Sequence, residues 1–145
     1  MVDDDPWQAA PWAREQVAEA RRAILITTGP DGRPRPVPCT FALVGDHLIS
    51  AVDHKPKTTR RLARLADLDR TGRATVLVDH YDDDWSALWW VRIHGPAGVV
   101  PTTDDLATRG LDALQAKYPP YADRRPEGPV WAVEVEEVVA WRAAG

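Results

Sequence analysis

Residues 55–64 read KPKTTRRLAR and carry five basic side chains, Lys55, Lys57, Arg60, Arg61 and Arg64, with no acid among them. Thr58 and Thr59 add two hydroxyl donors to the same stretch. Placed on a helix beginning near Pro56, Lys57, Arg60, Arg61 and Arg64 fall within a sector of about 100°. Leu62, Leu65 and Ala66 fall on a separate sector suited to packing. Free N–H groups and the dipole at a helix N-terminus favour an anion, and cations placed there oppose the dipole unless an anion joins them. Basic side chains, hydroxyls and backbone amides together make the chemistry of a phosphate site. The alternative is a solvated basic face, the usual fate of a charge run.

Three other groups bear on chemistry. In the strand-like run around Trp89–His94, alternation puts Trp89 and Val91 on one side and Trp90, Arg92 and His94 on the other. The second side offers an aromatic, a guanidinium and an imidazole, which suits a subunit interface or a ring pocket. Asp79-His80-Tyr81-Asp82-Asp83-Asp84 holds possible metal ligands, but sequence neighbours rarely converge on one ion, so the run reads as an exposed acidic hairpin and no metal site is assigned. Cys39, the one cysteine, has no activating neighbour and reads as a buried apolar side chain rather than a nucleophile. The histidines are scattered, and no Ser-His-Asp or paired-carboxylate pattern is present. No catalytic side chain is therefore assigned.

The elements that must position these groups follow from period and punctuation. A helix is expected from about Pro11 to Arg22, after an N-terminal arm over residues 1–10, with Pro11 at its first turn. AILITT is a strand and Pro30-Asp31-Gly32 a turn. In the next strand Pro34, Pro36 and Pro38 cannot sit in a ladder paired on both edges, so part of it is an edge or lines a cavity. Gly45-Asp46 closes a hairpin onto HLISAV. TTRRLARLADLDR is a short helix, ATVLVDHY a strand, and ALWWVRIHGPAGVV a longer strand kinked near Gly95-Pro96. Thr103–Lys117 is a helix capped by Thr103 or Asp104, PPYADRRPEGP a loop, and VWAVEVEEVVAWR the closing strand. About six strands in meander order, with helices between them, predict a mainly β, antiparallel barrel with flanking helices rather than a doubly wound sheet. GxGxxG and GxxxxGK[ST] are both absent, which removes Rossmann and P-loop nucleotide sites.

The chain has 145 residues, 18 Lys plus Arg against 22 Asp plus Glu, and a formal net charge of −4. That length suits one domain over residues 1–145. An apolar share of 44% with 28% charged residues is a globular balance. Mild acidity argues against a nucleic-acid partner. No stretch approaches the roughly 18 apolar residues of a membrane span. The acidic Asp3, Asp4 and Asp5 stand where a secretory signal would be basic, so a cytoplasmic protein is expected.

The order strand, PDGRP turn, VPCTF strand, hairpin, LISAVDHKPKTTRRLARL and ATVLVDHYDDDWSALWWVRIHG resembles the pyridoxamine 5′-phosphate oxidase-like split β-barrel family. More narrowly, it is similar to the actinobacterial branch of coenzyme F-420-dependent oxidoreductases. The resemblance runs from about Ala23 to Gly95. It implies a six-stranded antiparallel split barrel of the FMN-binding type, paired as a homodimer with cofactor sites at the subunit interface. It also implies that Lys55, Lys57, Thr58, Thr59, Arg60 and Arg61 hold the cofactor phosphate, and that Pro38, Cys39 and Thr40 lie along the ring. Trp90 is expected at the same site. Thr59 stands where many relatives carry Asn, and the motif leaves coenzyme F-420 and FMN both open. The activity implied is hydride transfer between a deazaflavin and a small-molecule substrate. The alternatives are an FMN-dependent oxidase or reductase, and a non-catalytic protein that carries F-420, FMN or haem.

Overall fold

The computed structural model of the chain describes residues 5–52 and 59–144, with backbone alone for residues 59–62. Its elements in chain order are α1 (Pro11–Glu19), β1 (Ala23–Thr28), β2 (Pro34–Cys39), β3 (Ala42–Val44), β4 (His47–Ala51), α2 (Thr59–Thr71), β5 (Arg73–His80), β6 (Trp89–Val100), α3 (Asp105–Lys117), α4 (Pro119–Asp123), β7 (Val130–Glu134) and β8 (Glu137–Arg142). All strand pairings among these residues are antiparallel. The order is β2-β1-β5-β6-β7-β4-β3, with β8 added on β6, and the sheet does not close.

The expected β architecture with flanking helices is present, with eight strands where about six were counted. The run after Pro34 divides at Thr40-Phe41 into β2 and β3, and the closing run divides at Val135-Glu136 into β7 and β8. The second division has a physical cause. Residues 89–94 of β6 pair with β8, residues 97–100 pair with β7, and the strand changes partner at Gly95-Pro96. There the backbone of the β7–β8 link lies so close that a Cβ on Gly95 would stand 1.7 Å from the Glu134 carbonyl oxygen. Glu136 donates its N–H to the His94 carbonyl at 3.1 Å across the same crossing.

β2 is the edge strand, paired only with β1. Its prolines alternate, so the N–H groups they lack all lie on one side of the strand and the ladder to β1 is spared.

The main core is built from Leu25, Val76, Val78, Val91 and Ile93 on the inner face of the sheet, with Phe41, Leu48, Leu68 and Trp131. Trp7, in the stretch expected as an arm, is 3% exposed and belongs to this core. α1 ends at Glu19 rather than Arg22, because Ala20 is already extended on the way to β1. A second cluster joins α3 to β4 and β7 through Ile49, Ala107, Leu114 and Val130. Asp104 is the cap of α3, accepting the Leu106 N–H at 2.9 Å. The segment expected as a wholly irregular Pro-rich loop begins with α4, whose two prolines occupy its first turn. No helix among the described residues is long and apolar enough to cross a membrane.

Candidate functional site

The β1–β2 register decides which way each expected site residue faces. Ala23 pairs with Cys39, Leu25 with Val37 and Thr27 with Arg35. Opposite residues share a face, so Arg35, Val37 and Cys39 form one inward row. Pro38 pairs with Ile24 and lies on the outer face, in line with Leu77, Arg92 and Val139. Pro38 and Cys39 therefore do not line one surface together. Cys39 packs against the main core. Burial pushes its thiol up to about 12, with the nearby Arg64 charge pulling weakly the other way.

Thr40 follows β2 and is held from the far end of the chain. Its hydroxyl shares a 3.1 Å hydrogen bond with the Tyr121 hydroxyl. Next to it the Phe41 N–H donates to the Tyr118 hydroxyl at 3.1 Å. That hydroxyl in turn faces the carbonyls of Arg21 and Phe41 at 3.0 and 3.2 Å. The Lys117 ammonium stands 3.9 Å above the Phe41 ring centre. Burial and then the Arg21 charge lower the Lys117 pKa to about 8. The end of α3 and the start of α4 thus fasten the β2–β3 link.

Trp90 lies on the outer face of β6 beneath the Arg92 guanidinium, which is 5.4 Å from its ring centre. Arg92 Nε donates to His94 Nε2 at 3.2 Å. The other ring nitrogen, Nδ1, shares a 2.9 Å hydrogen bond with Thr75 Oγ1. Trp89 faces the core side, edge-on to Trp12 and stacked on His80. The alternation expected along this strand holds. Trp90 and Pro38 share the outer face, but β1 and β5 separate their strands, a spacing of about 14 Å at 4.8 Å per strand.

Lys55, Lys57 and Thr58 lie outside the described residues, as does His54. Thr59, Arg60 and Arg61 open α2, and their side chains also lie outside them. A cleft of about 260 Å³ lies between β2 and α2. β1 contributes Thr27, β2 contributes Arg35, Pro36 and Val37, and α2 contributes Ala63, Arg64 and Asp67. Asp67 is 1% exposed. Burial alone would raise its pKa. Hydrogen bonds from Arg70 and Thr27, at 2.9 Å each, with the charges of Arg35 and Arg70, override that and hold it below the ordinary carboxylate range. Arg70 also donates to the Thr28 carbonyl, which ties the last turns of α2 to β1.

Arg35, Asp67 and Thr27 escape a reading by sequence motif. The signal available was the alternation of β2, which already sets Arg35 on the row of Val37 and Cys39. Chemically, the cleft offers an apolar floor, two arginines and one carboxylate held by Thr27, Arg70 and the charge of Arg35. That arrangement suits an anionic, chain-like group. Among the described residues, no three His, Cys, Asp or Glu side chains gather in a way that could hold a metal ion. The acidic hairpin folds as an exposed turn in which Asp84 accepts from the Ser86 N–H and hydroxyl.

Solved structures with this fold include a conserved hypothetical protein from Mycobacterium tuberculosis, at 18% identity and TM-score 0.72, covering 92% of this chain and 84% of that one. The haem storage protein HutZ from Vibrio cholerae matches at 14% identity and TM-score 0.69, covering 92% and 93%. An FAD-binding protein from Mycobacterium smegmatis matches at 16% identity and TM-score 0.64, covering 94% and 97%. At these identities the likeness is one of fold. No curated protein matches the sequence significantly. The sequence model of pyridoxamine 5′-phosphate oxidase matches residues 10–142, from the start of α1 to the end of β8. With the antiparallel fold, that match means the chain belongs to the pyridoxamine 5′-phosphate oxidase family.

Proposed function

We propose that this protein is an oxidoreductase that binds coenzyme F-420 between β2 and the start of α2 and passes a hydride between its deazaflavin and a small organic substrate. The observation that carries this reading is the β2–α2 cleft, whose lining includes Arg35 and Arg64; the sequence adds Lys55, Lys57, Arg60 and Arg61, more cations than one phosphate requires. The bound deazaflavin supplies the hydride chemistry, and the protein supplies binding and orientation. Lys57, Thr58 and Arg61 hold the phosphate, and Val37 and Ala63 supply the apolar part of the cleft wall. No side chain need act as a nucleophile, in keeping with a Cys39 thiol that stays protonated.

The second reading is an FMN-dependent oxidase or reductase. It is supported by the family itself and by the flavin-binding neighbour of the same fold. Titrating the purified protein with F-420 and FMN side by side, following ring fluorescence, decides between them. Turnover with a reducible dye then separates an enzyme from a carrier of flavin or haem.

We further propose a homodimer formed through the outer face of the sheet. Ile24, Ile26, Leu77, Trp90, Val139 and Trp141 share that face, and Trp141 is 44% exposed. A self-complementary aromatic and aliphatic surface is what a symmetric pair buries.

A further inference from the structure

We infer that His94 makes pairing of the outer sheet face depend on protons: two copies of the chain associate while its ring is neutral, and protonation drives them apart. The inference rests on the outer-face homodimer proposed above and adds to it the condition under which that face pairs.

The cross-strand register sets His94 and Arg92 among the side chains that pairing would cover. Arg92 stands between Leu77 on β5 and Val139 on β8, and His94 between Thr75 on β5 and Glu137 on β8. Opposite residues share a face, so both lie on the face that carries Ile24, Ile26 and Trp90. Arg92 Nε donates to His94 Nε2 at 3.2 Å. A guanidinium has only donors, so this bond exists only while Nε2 carries no proton. The Glu137 carboxylate lies 3.9 Å from the same nitrogen, within ion-pair reach. Nε2 thus faces a cation that needs the neutral ring and a carboxylate that favours the charged one. The 2.9 Å hydrogen bond between Nδ1 and Thr75 Oγ1 holds the ring between them. Two further charged groups stand nearby. Arg73 lines a cleft of about 170 Å³ with His94 and Thr75, and its guanidinium is held by Glu136 at 2.7 Å. Asp79 lies opposite Trp90, on the far side of Arg92 from His94.

The sign follows from desolvation. A proton on Nε2 sets two donors and two like charges against each other, so Arg92 loses its acceptor. In a free monomer water solvates both groups. Between two paired faces that water is gone, and a buried charge without a partner is costly. The pair therefore favours the neutral ring, and linkage weakens association as pH falls through the range in which histidine titrates. A symmetric pair carries His94 twice. One pH unit below its titration point each ring costs about tenfold in affinity, so the two together cost roughly a hundredfold.

The test is sedimentation of wild type, His94→Gln and Arg92→Leu from pH 8 down to pH 5.5, with far-ultraviolet dichroism at each step to show that the fold is kept. The wild-type dissociation constant should rise roughly a hundredfold over that range. His94→Gln should pair at pH 8 and change less than about threefold down to pH 5.5, because an amide oxygen accepts from Arg92 and does not titrate. Arg92→Leu removes the opposing cation and leaves Glu137 to receive the imidazolium, so its rise should fall below about tenfold. A wild-type constant that does not move with pH, or a His94→Gln or Arg92→Leu profile as steep as that of wild type, overturns the proposal and leaves the interface standing. A wild type that is monomeric at pH 8 overturns both.

Discussion

The hydroxyl of Thr27 on β1 donates to the carboxylate of Asp67 on α2 across 2.9 Å, and both residues are buried. This bond joins the sheet to α2, which includes Arg60, Arg61 and Arg64, and Arg70 completes the cluster from the exposed side.

Asp67 is therefore expected to support stability in a pH-dependent way. Its folded pKa lies below the ordinary value of about 3.9. The stabilisation is complete above that value and is lost as pH falls through the folded pKa. Asp67→Asn should cost about 3 kcal/mol at pH 7, because the partners of a buried charge are left unpaired. The gap between variant and wild type should shrink in denaturant titrations below pH 4. A gap that stays constant down to pH 2 contradicts the assignment.

Lys117 acts in the opposite pH window. Its amine has a folded pKa of about 8 against about 10.4 in an unfolded chain. Between those values the unfolded chain binds the extra proton, so stability rises with pH. Lys117→Met keeps an apolar stem over Phe41 and removes the titration. Wild type should gain on this variant as pH rises from 8 to about 10, measured by urea midpoints. Parallel profiles would show that the amine is not shielded.

The Cys39 thiol should be inert in the folded protein. With its pKa near 12, almost no thiolate exists at pH 8, and the thiolate is the reactive form. Labelling with a disulfide reagent at pH 8 should run at least about a hundredfold slower than in denaturant. Native labelling as fast as unfolded labelling places the thiol outside the core.

Removing Lys57 should weaken cofactor binding about ten- to a hundredfold, since a charge-assisted bond to phosphate is worth roughly 1.5–3 kcal/mol. Arg61→Ala should act similarly. The loss should appear in the Michaelis constant for the cofactor with turnover at saturation unchanged, because the phosphate is held alike in ground and transition states. Arg14→Ala is the control. Arg14 is on α1 and its guanidinium donates to the Gly45 carbonyl. Identical affinities in all three variants leave the basic run as a solvated surface.

Sedimentation should give twice the chain mass of 16.1 kDa at micromolar protein. Leu77→Glu places a charge in the middle of the outer face, opposite Ile24 and Arg92, and should shift the particle to the monomer with its β-sheet spectrum retained. A wild type that sediments as a monomer removes the interface.

Local chemistry made much of this protein legible from its sequence. Three alternating prolines marked β2 as an edge, because an imino acid has no donor for a second ladder. Gly95-Pro96 marked the bend of β6, and alternation separated Trp89 from Trp90. The basic run is legible as a concentration of charge, and Lys55, Lys57 and Thr58 lie outside the described residues. Tertiary structure decided what depends on residues distant in sequence. Pairing with Ala23 turns Cys39 inward, as its reading as a buried apolar side chain expected, although the resemblance set it along the ring with Pro38. Trp7 joined the core, and β6 served two partners because the β7–β8 link crosses it at Gly95. Arg35 and Asp67 carry no motif. They meet because β2 and α2 converge on one end of the sheet, where burial makes a carboxylate need partners and leaves a guanidinium aimed into a cleft.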